Sequence, residues 1–271
     1  MPDVTPAFRI MGIVNVTPDS FSDGGQYLDA AAALAHAREL EAEGAAILDV
    51  GGESTRPGAE PVAAQEELRR VVPVIEALAD GGTQAQISID TVKLTVAEAA
   101  VDAGASYVND VTAFRHDPEL AGFVADSRLD CCLMHMRGEP RTMQDDPRYD
   151  DVVSDVKAFL EERMAFAVAA GVREERIQLD PGIGFGKTDA HNLELLRRLD
   201  ELVALGRPVL VGVSRKSFLG RIAGRPVDER LAATLAANVL AFANGATVFR
   251  VHDVAPLRDA LTVAAATLRA P

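Results

Sequence analysis

Positive charge, cysteine and long apolar runs are all scarce in this sequence. Lys and Arg number 27 against 41 Asp and Glu, giving a formal charge of −14. That balance disfavours non-specific attachment to nucleic acid or to anionic membranes. The two cysteines, Cys131 and Cys132, are neighbours. On a strand they point to opposite faces and do not readily pair, so two reduced thiols packed as small apolar groups are expected, as in a cytoplasmic protein. The most apolar stretch, residues 231–243, is interrupted by Thr234 and Asn238 and falls short of the roughly 20 residues that span a bilayer. Residues 1–8 lack the basic and apolar regions of a signal peptide.

Several motifs are missing as well. No Cys-x-x-Cys or His-Glu-x-x-His spacing occurs, which argues against a structural zinc or a zinc hydrolase. There is no Gly-x-Ser-x-Gly elbow and no Gly-x-x-x-x-Gly-Lys-Ser/Thr loop. Residues 181–187 are glycine-rich but lack the phosphate-loop spacing, and read as an ordinary loop. The first apolar run is not followed by Gly-x-Gly-x-x-Gly, which weakens a doubly wound dinucleotide fold.

What is present is an alternation. Residues 10–16, 46–50, 86–90, 107–110, 130–135, 177–180, 209–213 and 247–251 are short runs, mostly apolar at consecutive positions, as in parallel strands covered on both faces. Between them lie Ala- and Leu-rich stretches with charged faces, including 29–43, 63–78, 92–103, 153–170, 192–204 and 229–243. Gly44, Gly104, Gly171, Gly206 and Gly245 stand just after these helical stretches, where helices commonly end. The pattern predicts an α/β protein, a (β/α)8 TIM barrel. With no Pro/Ser linker, residues 1–271 form one domain. The length is close to the roughly 250 residues usual for that fold.

Barrel chemistry sits at the C-terminal ends of the strands. The predicted strands end in or near Asn15, Asp49, Asp90, Asn109, His135, Asp180, Ser214 and Arg250, with His252 just beyond. Their bodies read as apolar. Arg56, Arg215, Lys216 and Arg250 then converge on one rim, and crowded cations need an anion or carboxylates beside them. Plainer readings stand beside this one. Asp90 could only cap a helix, Asp180 could stabilise a turn, and Arg215 with Lys216 could be a solvated pair. Arg250 could be a structural ion-pair partner, Glu53 an ordinary loop carboxylate, His252 a helix cap and His135 simply packed.

At these positions the sequence resembles a known family. Met11-Gly12-Ile13-Val14-Asn15-Val16-Thr17-Pro18-Asp19-Ser20-Phe21-Ser22-Asp23-Gly24-Gly25 is similar to the first signature of the dihydropteroate synthases, within the pterin-binding enzymes. Asp49-Val50-Gly51-Gly52-Glu53-Ser54-Thr55-Arg56-Pro57-Gly58 is similar to the second. Ser88-Ile89-Asp90-Thr91, Asn109-Asp110, residues 180–187, Ser214-Arg215-Lys216-Ser217 and Arg250-Val251-His252-Asp253 follow in the family's order. The resemblance covers nearly the whole chain.

It implies a transferase that joins 6-hydroxymethyl-7,8-dihydropterin diphosphate to 4-aminobenzoate, giving 7,8-dihydropteroate and diphosphate in folate biosynthesis. It assigns Asn15 to Mg²⁺ and the diphosphate, with Thr55, Arg250 and His252 also on the pterin diphosphate. Asp90, Asn109, Asp180 and Lys216 would hold the pterin. Phe21, Thr55, Arg56, Pro57, Arg215 and Ser217 would shape the aminobenzoate pocket. Lys216, Arg250, His252 and Asp90 are the expected catalytic set. A cytoplasmic homodimer is the family's habit. Corrinoid-dependent methyltransferases share the barrel but do not need residues 17–22 together with 214–217; a silent pterin-binding relative would bind without turnover. Residues 137–149 receive no role.

Overall fold

The computed structural model describes residues 8–16, 26–55, 58–139 and 141–270, with no side-chain description at 26–29. Eight strands form one sheet: β1 (Arg9–Asn15), β2 (Ile47–Gly51), β3 (Gln86–Asp90), β4 (Tyr107–Asp110), β5 (Asp130–Met134), β6 (Ile177–Asp180), β7 (Leu210–Val211) and β8 (Val248–Val251). They follow the order β6-β5-β4-β3-β2-β1-β8-β7, and all paired neighbours are parallel. The two ends of that order meet through a parallel bridge between Leu179 and Val209. The sheet is therefore a closed barrel, as the alternation predicts.

Strand β7 is shorter than the expected 209–213. Pro208 has no N–H for a ladder bond, and its carbonyl instead accepts from Leu179 N at 3.0 Å, which helps close the barrel. The other strand limits agree with the sequence reading to within a residue at each end.

The helices of the outer ring are α1 (Gln26–Glu43), α2 (Ala64–Asp80), α3 (Leu94–Asp102), α4 (Glu119–Asp126), α5 (Val152–Ala169), α6 (Asp189–Arg197), α7 (Asp200–Val203), α8 (Ser217–Ala223), α9 (Leu231–Ala243) and α10 (Val254–Leu268). The single helix expected over 192–204 is in fact α6 and α7. α6 starts earlier because the Thr188 side chain caps it and His191 bonds back to Thr188 N. The glycines read as helix ends all take a left-handed φ. At Gly104 the need is also steric, since a Cβ there would lie 2.7 Å from Ala79.

Two cores result from the strand period of two. Cys131 joins the large layer between sheet and helices, while Cys132 packs inside the barrel with Met11, Ile47, Tyr107, Leu210 and Val248. The interior layer is a plug of buried side chains, and chemistry is confined to what lies above it.

One sequence expectation needs correcting. Polar residues do not gather at one end only. β1, β3 and β5 begin in Arg9, Gln86 and Asp130, which form a hydrogen-bonded chain at the N-terminal end. Nor are the strand bodies wholly apolar, because Asp49 and Ser88 are buried within β2 and β3. No described helix is long and apolar enough to cross a membrane.

Candidate active site

Arg250 is the hub of the C-terminal rim. Its Nε donates to Asp49 Oδ2 at 2.6 Å and its Nη2 to Asp90 Oδ2 at 2.8 Å. Asp49 also accepts from Ser88 Oγ at 2.6 Å and Asn109 Nδ2 at 3.0 Å. Strand register explains the gathering, because Asp49 pairs with Ser88 and Asp90 with Asn109 across successive ladders. Gly51 leaves room beside Asp90, whose Cβ would lie 3.4 Å from a Cβ added there.

Burial pushes the Asp90 carboxyl up to about 7; Arg250 opposes that rise, and Asp49 adds to it. Burial works against the Arg250 charge too, yet Asp49 and Asp90 overcome it and hold the guanidinium above its ordinary value. The capping reading of Asp90 fails: α3 starts at Leu94, and its N–H donates instead to Asp117.

Opposite this hub stand Lys216 and Asp180. Lys216 Nζ donates to the Ile183 carbonyl and sits 4.6 Å from the centre of the Phe185 ring. Burial pushes this ammonium down to about 8, against the pull of Asp180 and with a further push from Arg250. Asp180 is raised by burial, while Lys216, the Gly182 N–H, Lys187 and Arg250 each lower it. The turn reading of Asp180 is realised, since Gly182 N donates to its Oδ1 at 2.6 Å. Gly182 has φ +64, and an added Cβ would lie 1.8 Å from the His135 carbonyl oxygen, so only glycine fits.

His252 does not cap α10. Its Nδ1 lies 2.9 Å from Ser214 Oγ, and its backbone N–H donates to the same oxygen. Arg215 and Lys216, adjacent in sequence, part company. Arg215 is exposed and held by a forked pair to Asp253, whereas Lys216 is half-buried, so the two are not one solvated pair. Ser217 opens α8 and is exposed. Asn15 ends β1 opposite Gly51; Asn15 and Thr55 are both half-buried. Phe21, Arg56 and Pro57, expected in the site, lie outside the described residues.

Glu53 is more than an ordinary loop carboxylate. Lys93 Nζ bridges it to the fully buried Glu67, and Glu53 also accepts from Val62 N. Both ends of the β2–α2 connection are tied down in this way.

The gathered groups are two cations, Arg250 and Lys216, three carboxylates that face them, Asp49, Asp90 and Asp180, and a histidine with a hydroxyl partner. A family model described as pterin binding enzyme matches residues 11–252. The chain belongs to the pterin-binding enzyme family.

Within that family the similarity is specific. The dihydropteroate synthase of Haemophilus influenzae is 45% identical over 262 residues, covering 97% of this chain and 94% of the relative. That of Mycobacterium leprae is 48% identical over 269 residues, with the same coverage. A solved dihydropteroate synthase of Xanthomonas albilineans with 4-aminobenzoic acid superposes with a TM-score of 0.91 at 52% identity, covering 97% of this chain and 94% of that one. The same organism's enzyme in complex with 7,8-dihydropteroate superposes at 0.87 with 48% identity and the same coverage.

For this pterin-binding enzyme, sequence reasoning listed Asp49 and Ser214 among the polar strand ends without giving either a role, and left out Ser88 and Phe185. A signal for pairing Asp49 with Ser88 existed. Gln86, Ser88 and Asp90 alternate along β3, which marks a polar face, and a buried polar face needs a partner such as Asp49. Phe185 carried no such signal in one dimension.

Proposed function

We propose that this rim catalyses the dihydropteroate synthase reaction, with Arg250, Lys216, Asp90, Asp180, Asn109 and His252 in direct contact with the pterin diphosphate. One observation carries the reading: Arg250 is held between two carboxylates at the centre of the rim, with Lys216 and Asp180 close enough to shift its charge balance and theirs.

Expelling diphosphate from the pterin methylene separates charge, leaving a cationic carbon conjugated to the ring. Two of the five N–H groups of Arg250 are spent on Asp49 and Asp90, so others remain for the departing anion. His252, oriented through Ser214, donates to the same anion. Asp90 and Asp180 accept from the donor-rich edge of the pterin and favour the positive charge that develops there. Charge stabilisation of this kind, from groups already in place, is commonly the largest contribution to catalysis. Lys216 adds a donor to the pterin beside Asp180. The arylamine is uncharged and nucleophilic, and the acidic proton left on its nitrogen after the C–N bond forms passes to water or to the released diphosphate, so no strong base is required. Thr55 with Phe21, Arg56, Pro57, Arg215 and Ser217 completes the aminobenzoate side.

Asn15 fits a Mg²⁺ ion. Its amide oxygen is a hard donor, and no group of three or more His, Cys, Asp or Glu among the described residues forms an all-protein cage. That suits an ion that keeps waters and takes most of its remaining ligands from phosphate oxygens. When bound, such an ion neutralises the leaving diphosphate.

Supplying purified protein with both substrates and Mg²⁺ should yield dihydropteroate and diphosphate one for one, with activity lost on chelation and restored by Mg²⁺. Binding of the pterin diphosphate without product would mark a silent relative and overturn the reading. A cytoplasmic homodimer is part of the same proposal. Leu240 on α9 is 63% exposed, an apolar side chain that a second copy would cover, and sedimentation at micromolar concentration tests it.

A further inference from the structure

The glycine-rich segment after β6 ends in a lysine that the proposed reaction does not use. Lys187 is only 3% exposed. Its Nζ lies 2.9 Å from His135 Nδ1 and donates to the Phe185 carbonyl at 3.0 Å. Both partners are neutral. Burial holds the lysine well below its ordinary value, Asp180 works the other way, and Lys216 adds to the fall. His135 is itself pushed down to about 2, first by burial and then by Lys187. Burial thus favours the neutral ring, whose Nδ1 faces the amine and which packs edge-on against Phe159 at 4.9 Å. A buried amine in such a place is a poor choice for stability alone, since an apolar side chain of similar volume usually does as well or better.

What the amine touches gives it a purpose. Residues 182–186 contain three left-handed glycines and run between the β5 connection and Lys216. A Cβ at Gly182 or Gly186 would strike the carbonyls of His135 or Arg137, and one at Gly184 would lie 3.2 Å from Lys216 Cδ. The segment offers Lys216 two supports, the Ile183 carbonyl and the Phe185 ring. Lys187 ties the same Phe185 from behind to the end of β5.

We propose that Lys187 is a positioning residue for Lys216: anchored on His135, it fixes the Phe185 segment on which the Lys216 ammonium rests. The inference rests on the proposed reaction for its kinetic consequence but not for its structural one. Lys216 is faced by Asp180 from β6, Arg250 from β8 and Lys187 from the segment itself. If the segment loosens, the Lys216 head gains water and its titration moves back toward the ordinary lysine value of about 10.4.

Pulse acetylation with acetic anhydride across pH, read at Lys216 by peptide mass spectrometry, follows that titration without any substrate. Wild type should titrate near 8. Lys187→Met should raise the midpoint by about one unit or more and lower kcat/KM for the pterin diphosphate by roughly 10- to 100-fold, with the KM for aminobenzoate little changed. Lys187→Gln keeps a donor for Phe185 and should restore most of both. His135→Leu removes the anchor and should shift the Lys216 midpoint the same way, which decides the matter if Lys187→Met does not fold. An unmoved Lys216 midpoint in the folded variants would overturn the proposal, as would equal losses in Met and Gln that track a lower Tm. Failure of wild type to make product would sink the reaction and leave the midpoint test standing.

Discussion

The two ends of the barrel carry similar residue types and use them differently. At the N-terminal end Arg9 donates to Gln86, Gln86 to Asp130, and Arg176 to the other oxygen of Asp130, at 2.7 to 2.9 Å. Each charge there has an adjacent partner and a share of water, and the chain stitches β1, β3 and β5 together. At the C-terminal end the charges are more buried, and the pairing of Arg250 with Asp49 and Asp90 does not offset that burial for Asp90. Asp90 is pushed up to about 7 and Lys216 down to about 8. Between the ends lies an apolar plug that includes Met11, Tyr107 and Cys132. The difference shows where the fold accepts instability: groups displaced from their ordinary ionisation are kept where a charged ligand would complete them.

The strongest way to break the contrast is to remove the hub. Arg250→Met should lower kcat/KM by roughly three orders of magnitude or more, since in the proposed reaction it deletes the main support of the leaving anion. It should also destabilise, by about 3–5 kcal/mol, because Asp49 is fully buried and loses its cation. Adding Asp49→Asn to Arg250→Met should return much of the Tm and none of the activity. Recovery of turnover in the double variant would show that Arg250 serves the fold alone.

Lys216→Met should cost about 100-fold or more in kcat/KM with no loss of Tm. The ammonium is held below its ordinary value, so its charge opposes folding. A clear fall in Tm on that substitution would make Lys216 part of the scaffold and blur the two ends.

The pH dependence follows from the same displacements. A raised carboxyl binds its proton more tightly folded than unfolded, so Asp90 makes stability fall as pH rises from about 4 toward 7. The lowered Lys216 binds its proton less tightly when folded, so stability rises again between about 8 and the ordinary lysine range. If the pterin needs Asp90 ionised and Lys216 protonated, kcat/KM is bell-shaped with limbs near 7 and 8. Asp90→Asn should flatten the acid limb of both curves. An acid limb unmoved by that substitution would assign it to another group.

The fold was legible because parallel strands and their helices follow different periods, and because glycine marks the joints between them. Most candidate site residues were legible too, since Asp90, Asn109, Asp180 and Arg250 stand at strand ends and Lys216 in the loop after β7. What escaped was set by three-dimensional parity. Asp49 reads as one more polar strand end, and only its register with Ser88 reveals that it faces Arg250. Arg215 and Lys216 are adjacent, yet the left-handed φ of +56 at Arg215 sends one outward to Asp253 and the other inward over the Phe185 ring. The N-terminal chain was overlooked because Arg9, Gln86 and Asp130 lie at strand beginnings, far apart in sequence, and meet only when the barrel closes.

That chain yields the smallest expected effect and the sharpest control. Gln86→Leu removes the link between Arg9 and Asp130, two hydrogen bonds worth about 1–2 kcal/mol together. Asp130 keeps Arg176 and both charges keep water, so neither is left buried and unpaired. Tm should therefore fall by a few degrees, while kcat/KM well below the transition should stay within about twofold, since additivity holds for sites without shared partners. The plug between the ends is what insulates them, because close-packed side chains in rotamer minima have no soft displacement to pass on. A loss of activity larger than the loss of stability would mean that the plug transmits strain, and the two ends would then have to be treated as one network.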